Sequence, residues 1–315
     1  MKITVIIPAY NAAKWLPASV ASVQRQTRPA DEIIIVDDGS MDGTPELCVE
    51  LGKEGVRYMR RENGGLSAAR NSGVAMATGD WFLFLDADDV LFPDALEKLS
   101  ATAQCSKAGV VYGFVLQRGE TLLSTKLHSL PRAIGEPPYP AEAAFWWTPI
   151  ATAGCALSSR SLNEQVGGFD EAFRQVEDAE YWLRCGVTTA FAHTGTMVLD
   201  KTYSPDSLGQ QRASSIWYRL QLQLKFLSWC RQRGISTDFL QTSPQAMVNH
   251  ALTQAWRVRK WELLPPLLRE ARKLGVMTPW CVRAAFKCLR LKVRSKLPPE
   301  PVFCRSVHDA WRINP

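Results

Sequence analysis

Residues 81–89 read Trp81-Phe82-Leu83-Phe84-Leu85-Asp86-Ala87-Asp88-Asp89, five apolar residues followed at once by an acidic cluster. A short, continuous apolar run is typical of a strand that is buried on both faces of a parallel sheet. In such sheets ligands bind beyond the carboxyl ends of the strands. Asp86 and Asp88 therefore stand where this architecture places a binding site.

Two earlier apolar runs also end in polar residues. Ile3 to Ile7 is followed by Pro8-Ala9-Tyr10-Asn11, and Ile33 to Val36 is followed by Asp37-Asp38-Gly39. Segments with the apolar spacing of helices lie between these runs. The alternation predicts an α/β fold, a Rossmann-like, mixed and mostly parallel sheet flanked by helices. Three strand ends would then bring their polar residues to one edge of the sheet.

The charge of the chain changes sign near residue 210. Residues 1–209 hold 18 Lys and Arg against 26 Asp and Glu, a net charge of −8, whereas residues 210–315 hold 19 against 5, a net charge of +14. The strand and helix alternation also stops there, and only helical spacing continues. We therefore predict an α/β domain over residues 1–209 and a basic α-helical C-terminal region over residues 210–315.

Composition narrows the class of protein further. Hydrophobic residues make up 46% and charged residues 22% of the chain, which is ordinary for a globular protein. The eight cysteines form no Cys-x-x-Cys pair, so buried thiols in a reducing compartment are expected rather than zinc or disulfides. No secretory signal opens the sequence, and no apolar run approaches the roughly 20 residues of a membrane helix. The expected localisation is cytoplasmic, either soluble or on a membrane surface.

Five separated segments, taken together and in this order, resemble the family 2 glycosyltransferases of the GT-A fold. They are Val5 to Asn11, Ile35 to Ser40, Asn63 to Asn71, Phe84 to Asp89, and Gly167 to Glu171 followed by Glu177-Asp178. Each segment alone is weakly specific, whereas all five in the expected order are a strong signal. The resemblance covers about residues 2–209 and implies a nucleotide-sugar half over 1–115 and an acceptor half over 116–209.

The resemblance also implies an activity. The expected reaction is an inverting transfer of a hexose or N-acetylhexosamine from a nucleotide-diphosphate sugar, with a UDP-sugar as the expected donor. The acceptor would be a hydroxyl of a glycan or a lipid-linked glycan, in cell-surface polysaccharide or lipopolysaccharide biosynthesis.

The acidic strand end suits a divalent cation. Mg²⁺ and Mn²⁺ prefer oxygen ligands, frequently one or two carboxylates with phosphate oxygens and water. The resemblance implies that Asp88 is the direct ligand of Mn²⁺ or Mg²⁺. It implies that Asp86 contacts the ribose or a metal-bound water, with Ala87 beside the nucleotide sugar. The alternative is a solvated acidic turn that ends the strand.

The first two strand ends are candidates for nucleotide binding. By resemblance Pro8, Ala9, Tyr10 and Asn11 line the nucleotide, and the Asp38 carboxylate accepts a hydrogen bond from the base. The alternatives are a strand-to-helix turn in which Asn11 is the helix N-cap, and an ordinary Asp-Gly turn at Asp38.

Three charged residues complete the predicted active site. The guanidinium fork of Arg70 suits phosphate oxygens, and the resemblance implies contact with the donor diphosphate; the alternative is a surface arginine. Inverting transfer needs a carboxylate that removes the acceptor proton, and the resemblance places it at Asp178. The alternative there is an acidic first helical turn favoured by the helix dipole. Glu177 is a candidate for acceptor binding.

Other aromatic and imidazole side chains have two interpretations. Trp146 and Trp147 lie in a proline-rich, loop-like lobe and either stack on an acceptor sugar or fill the core. His193 is the nearest candidate for a further metal ligand, but its apolar neighbours favour a core or surface histidine. Tyr203 to Ser207 takes the place of the family's loop over the donor and lacks its usual basic and histidine residues.

Residues 280–297 predict an amphipathic, basic helix. Its apolar positions are Val282, Phe286, Leu289, Val293 and Leu297, and its basic stripe is Arg283, Lys287, Arg290 and Arg294. We predict contact with an anionic membrane surface through this stripe. The alternatives are packing on the catalytic domain or on a second subunit of a homo-oligomer. No nucleic-acid module is recognisable, so no nucleic-acid partner is expected.

Two rival functions remain open at this point. A protein of the same fold would bind a nucleotide sugar, or act as a scaffold, without turnover. A metal-dependent nucleotidyltransferase would need a glycine-rich phosphate loop after the first strand, and residues 8–13 contain no glycine.

Overall fold

The computed structural model describes residues 1–118, 126–128, 137, 150, 152–202, 212–275 and 279–291. The chain forms two compact units, Met1–Ser204 and Pro205–Pro315. The predicted domain boundary after residue 209 stays a prediction, because residues 203–211 lie outside the described ranges.

A single sheet forms the centre of the first unit. Its strands in the described residues are β1 (Ile3–Ala9), β2 (Glu32–Asp37), β3 (Arg57–Arg60), β4 (Trp81–Phe84), β5 (Asp89–Leu91), β6 (Val110–Arg118), β7 (Lys126–His128), β8 (Ala156–Ser159) and β9 (Phe191–Thr202). Their order is β3-β2-β1-β4-β8-β6-β9-β5, with β7 beside β6. Strands β1 to β4, β6 and β9 run in one direction, and β5, β7 and β8 run in the other. The predicted mixed, mostly parallel sheet is confirmed.

Helices connect these strands and cover the sheet. They are α1 (Leu16–Gln24), α2 (Thr44–Gly52), α3 (Leu66–Met76), α4 (Ala95–Cys105), α5 (Arg160–Val166) and α6 (Glu177–Gly186). Every residue of β1 is buried, as expected for a central strand with helices on both faces. A Cβ at Gly73 would overlap the Ile6 side chain, so α3 lies closer to β1 than any other residue would permit there. This close approach sets the position of Arg70, one helical turn earlier.

The second unit is helical throughout its described part. Its helices are α7 (Arg212–Gln232), α8 (Pro244–Arg257), α9 (Leu264–Lys273) and α10 (Pro279–Leu291). Cys281 and Ala284 on α10 are buried, and α10 packs against α8 and α9. The face of α10 that packs within this unit therefore contains Cys281 and Ala284, whereas Val282 of the predicted apolar face is exposed.

The basic stripe of α10 takes part in this packing. The Lys287 ammonium lies 5.8 Å from the centroid of the Trp256 ring and 4.5 Å from that of the Trp261 ring. These are cation–π distances. Arg283 is exposed, whereas Arg294 and the side chain of Arg290 are outside the described part of the chain. In the described ranges no helix is both long and apolar enough to span a membrane.

Candidate active site

Three carboxylates meet directly after β4. Asp86, Asp88 and Asp89 each offer an oxygen atom, and these atoms lie within 4.8 Å of one another. Asp89 begins β5 and is fully buried. Burial and the neighbouring Asp86 raise the pKa of Asp88, and burial raises the pKa of Asp89 to about 7. Asp88 and Asp89 are therefore harder to ionise than an isolated aspartate, because burial and the neighbouring carboxylates disfavour their charged forms.

Two cations from distant parts of the chain pair with this cluster. Arg70 Nη2 donates to Asp86 Oδ1 at 2.9 Å, and Thr152 Oγ1 donates to Asp86 Oδ2 at 3.3 Å. Lys201 Nζ lies 2.9 Å from Asp89 Oδ2 and 3.8 Å from Asp86 Oδ2. Burial opposes ionisation of Asp86, but Arg70 and Lys201 outweigh it and lower its pKa. Within the described residues, no side-chain cation pairs with Asp88.

This arrangement fits a divalent ion. Asp89 Oδ1 is buried and has no hydrogen-bond partner among the described residues, which is unusual for a carboxylate oxygen. Asp88 lacks a cationic partner there, and three carboxylates so close together favour an additional positive charge. Carboxylate oxygens are the ligands that Mg²⁺ and Mn²⁺ prefer.

Arg70 connects the acidic cluster to helix α6. Its side chain is 1% exposed, and its Nη1 donates to Glu177 Oε1 at 3.0 Å while Nη2 holds Asp86. The guanidinium carbon lies 5.0 Å from the centroid of the Phe169 ring. The alternative of a surface arginine is wrong. Protein carboxylates are the partners that the structure gives Arg70, and contact with a diphosphate stays a prediction.

Asp178 lies beside this network in the first turn of α6. Burial raises its pKa to about 7, Glu177 acts in the same direction, and Arg70 opposes them. A pKa near neutrality is suited to a general base. Val176, the residue before the helix, has a φ of 58°, a left-handed conformation that a β-branched residue rarely adopts. Strain of this kind is concentrated at functional sites.

The loop before α6 is held from two sides. Asn71 on α3 accepts from the Phe169 N–H and donates to the Phe169 carbonyl, both at 2.9 Å. Arg184 on α6 donates to the carbonyls of Val166 at 2.6 Å and Gly168 at 2.7 Å, and it pairs with Glu180. Two segments of the predicted motif set, 63–71 and 167–171, are thereby joined.

Asp38 organises the glycine-rich turn before α3. Its two carboxylate oxygens accept from the Gly64 and Gly65 N–H groups at 3.0 and 2.7 Å, and Arg61 lies 3.2 Å away. Asp37 is buried and accepts from the Ser40 N–H. Asp38 is thus more than an isolated Asp-Gly turn, and its contact with a base stays a prediction.

The loop after β1 is tied to the loop after β2. Asn11, with a φ of 50°, accepts from the Met41 N–H through its side chain at 2.9 Å, and its own N–H donates to Ser40 Oγ. The alternative of Asn11 as helix N-cap is wrong, because the N-cap of α1 is Trp15. Pro8 and Ala9 are buried, and Tyr10 is 50% exposed.

The structure describes three of the remaining predicted residues, Ala87, Glu177 and His193, and does not describe the other two. Ala87 is half-buried inside the acidic segment, and Glu177 is held by Arg70. His193 lies on β9 between the rings of Tyr112 and Phe114, in accord with its interpretation as a packed histidine. Trp146 and Trp147 lie outside the described residues, so their acceptor-binding role stays a prediction.

Sequence reasoning missed Lys201, Thr152 and Arg184. Lys201 is 112 residues from Asp89 and meets it only because β5 and β9 pair in register. No local pattern marks such a pair. The pairing of Arg184 with Glu180 could have been predicted, because the two residues are four positions apart, the spacing of a helical ion pair.

A mixed, mostly parallel α/β sheet with an acidic cluster after its fourth strand is the arrangement expected of a GT-A type glycosyltransferase. Residues 4–167 match the family model described as glycosyl transferase family 2. The chain belongs to this family.

The relatives of the chain agree with this assignment. It is 30% identical over 188 residues to an uncharacterized glycosyltransferase, RP339, of Rickettsia prowazekii (strain Madrid E), a match covering 58% of each protein. It is 42% identical over 100 residues to the glycosyltransferase GlyA of Streptococcus pneumoniae serotype 4, covering 31% of this chain and 14% of that protein. The match therefore spans little more than half the length of RP339 and a small part of GlyA.

Solved structures share the fold. The structure of S. aureus TarS 1–349 in complex with UDP has a TM-score of 0.57 and 17% identity, covering 99% of this chain and 91% of that one. The complex of the same protein with UDP-GlcNAc has a TM-score of 0.57 and 16% identity, covering 95% and 94%. At this identity the likeness establishes the fold.

Proposed function

We propose that the chain is an inverting glycosyltransferase that transfers a sugar from a UDP-sugar to a hydroxyl of a glycan or lipid-linked acceptor. We further propose a place in cell-surface polysaccharide or lipopolysaccharide biosynthesis. One observation carries the proposal. Arg70 joins Asp86, in the acidic cluster, to Glu177, the neighbour of the candidate base Asp178, through contacts of 2.9 and 3.0 Å.

The acidic cluster would serve the donor. Asp88 would be the direct ligand of Mn²⁺ or Mg²⁺, with Asp86 in support, because Asp86 is already engaged by Arg70 and Lys201. The charge of the departing nucleotide diphosphate would be neutralised by a divalent ion bound to these carboxylates. Asp38, Tyr10 and the other residues of the first two strand ends would bind the nucleotide.

Asp178 would act on the acceptor. Its carboxylate would accept the proton of the acceptor hydroxyl as the oxygen attacks the anomeric carbon from the side opposite the diphosphate. A base with a pKa of about 7 is mostly ionised at slightly alkaline pH and still basic enough to take a proton. Glu177, fixed by Arg70, would keep the first turn of α6 in place and contact the acceptor.

The choice of sugar rests on analogy of fold. TarS has been crystallised with UDP-GlcNAc, and its fold covers most of this chain. UDP-N-acetylhexosamines are therefore the first donors to test, followed by UDP-hexoses. A panel of nucleotide sugars with Mn²⁺ in a thermal shift assay identifies the ligand, because binding to the native state alone raises the melting temperature.

Donor turnover then tests the activity. With the selected donor, we expect Asp88→Ala and Asp178→Asn to lose at least about a hundredfold in the rate of nucleotide release, in line with the loss of a general base. Asp238→Asn, which alters an exposed aspartate of the second unit, is the matched control and should keep the wild-type rate. Full activity in both site variants would show that these residues are wrongly assigned. Tight donor binding with no turnover by the wild type would instead favour the non-catalytic alternative.

We also propose a peripheral contact with an anionic membrane on its cytoplasmic face, through residues 280–297. The support is the charge of the second region and the exposure of Arg283 and Val282 on α10. Lys287 is engaged with two tryptophan rings, so Arg283, Arg290 and Arg294 would carry the contact.

A further inference from the structure

Lys201 is a cation that the fold places inside the acidic cluster. It is the cross-strand partner of Asp89, since β5 and β9 pair in antiparallel register at these two residues. Its Nζ lies 2.9 Å from Asp89 Oδ2 and 3.8 Å from Asp86 Oδ2, and its side chain is 27% exposed. Asp89 is fully buried, so the lysine is the group that compensates a carboxylate shielded from water.

The charges of the cluster are unequally compensated. Of its three carboxylates, Asp86 is paired with Arg70 and Asp89 with Lys201, while Asp88 has no side-chain cation at ion-pair distance in the described ranges. With Lys201 present, one negative charge is left over. Without it, two would be left, and both oxygens of Asp89 would be open to a divalent ion.

A tethered ammonium has two effects on such an ion. Its positive charge repels a second cation a few ångströms away. It also occupies Asp89 Oδ2, which removes one carboxylate oxygen from the ligand set. Two carboxylates completed by substrate phosphates are the usual Mg²⁺ site, whereas a third carboxylate moves toward a cage built by the protein alone.

We propose that Lys201 is a positioning residue that competes with the divalent ion for the acidic cluster, through its positive charge and by occupying Asp89 Oδ2, and thereby makes tight metal binding depend on the donor diphosphate. The proposal rests on the metal role proposed above for Asp86 and Asp88. It predicts that the free protein binds Mn²⁺ weakly and that a nucleoside diphosphate strengthens this binding. By reciprocity of linkage, Mn²⁺ strengthens nucleotide binding by the same factor.

The experiment measures Mn²⁺ binding to the full chain by electron paramagnetic resonance of the free ion, with and without UDP. In the absence of UDP, we expect Lys201→Met to bind Mn²⁺ at least about tenfold more tightly than the wild type, because a repelling charge is removed and an oxygen is released. The strengthening by UDP should shrink correspondingly. Lys53→Met is the matched control, since Lys53 pairs with Glu50 at 2.7 Å on the exposed surface. It should behave as the wild type.

A second variant keeps the test valid if Lys201→Met is destabilised by an uncompensated Asp89. The double variant Lys201→Met/Asp89→Asn removes both charges of the pair, so its Mn²⁺ affinity should return to within about threefold of the wild type if the lysine acts through Asp89. Equal Mn²⁺ affinity of the wild type, Lys201→Met and the double variant would overturn the inference and leave the metal site standing. Absence of any Mn²⁺ binding that Asp88→Ala abolishes would overturn both.

Discussion

Arg70 forms ion pairs with two carboxylates, which no sequence pattern indicated. It is buried between Asp86 and Glu177, so removing its charge would leave Glu177 without its cation and Asp86 with Lys201 alone, at 3.8 Å. Breaking a buried pair by removing one partner costs about 3–5 kcal/mol. We expect Arg70→Met to lower the free energy of unfolding by that amount in urea denaturation. Arg28→Met, which breaks an exposed pair with Asp31, should cost less than about 1 kcal/mol.

At Asp178 the burial of a carboxylate predicts a pH dependence of activity. Its pKa is raised to about 7, and a base acts only when deprotonated. We expect kcat/KM to rise with pH through about 7 and then to reach a plateau. The measurement is the pH profile of nucleotide release at low donor concentration. A profile that is flat between pH 5.5 and 8.5, roughly the window around this pKa, would contradict the role.

Stability gives an independent check on the same carboxylate. The folded-state pKa of about 7 exceeds the unfolded value of about 3.9, so the native state holds more protons between these pH values. Stability therefore falls as pH rises across this window and levels off above it. Asp178→Asn removes the fall, and we expect it to be more stable than the wild type at pH 8 by about 1–3 kcal/mol. At pH 4 the difference should vanish, and Asp238→Asn should show no such trend.

At the scale of elements, the long apolar runs were the easiest to predict. Strands β1, β2 and β4 lie within a few residues of their expected positions. Strands β5 and β6 and helix α5 were missed. Strand β5 has only three residues and begins with Asp89 of the acidic cluster, so no local pattern marks it as a strand. It forms because these residues pair with β9. Pairing between distant segments, rather than local propensity, determines such elements.

The loop between α5 and α6 gives a prediction at this scale. Gly167 and Gly168 both have positive φ, 89° and 71°, but only at Gly168 would a Cβ meet a neighbour, lying 2.9 Å from Asn71 Oδ1. We expect Gly167→Ala to cost about 1 kcal/mol from backbone strain alone. Gly168→Ala should cost more and also lower kcat, because the loop leads directly into the helix that carries Asp178. Unfolding in urea and donor turnover measure the two effects.

Asn71→Ala supplies the test of the mechanism. Combined with Gly168→Ala it should be less destabilising than the sum of the single changes, because the clash with the amide is gone. Equal costs at Gly167 and Gly168 would show that the close contact with Asn71 does not matter.

At the scale of the whole molecule, the sequence predicted which strand ends carry the candidate site but not how its charges balance. Asp86, Asp88 and Asp178 were predicted as site residues because motifs place them at the ends of elements. Their compensation by Arg70 and Lys201 depends on contacts across 16 and 112 residues of chain. A sequence motif predicts a carboxylate, whereas the cation that pairs with it is determined by the tertiary structure.

The charge difference between the two regions leads to the last prediction, which concerns membrane contact. An anionic surface attracts each nearby basic residue by about 1 kcal/mol, so reversing three arginines should weaken binding strongly. We expect the wild type to float with anionic liposomes, and not with neutral ones, and to be released as salt rises. The variant Arg283→Glu/Arg290→Glu/Arg294→Glu keeps Lys287, which packs on Trp256 and Trp261, and should remain folded but sediment. Reversal of Arg257, Arg259 and Arg272, which are exposed elsewhere in the same unit, is the control for net charge and should still float. Equal flotation of wild type and both variants would show that α10 and the residues after it do not bind the membrane.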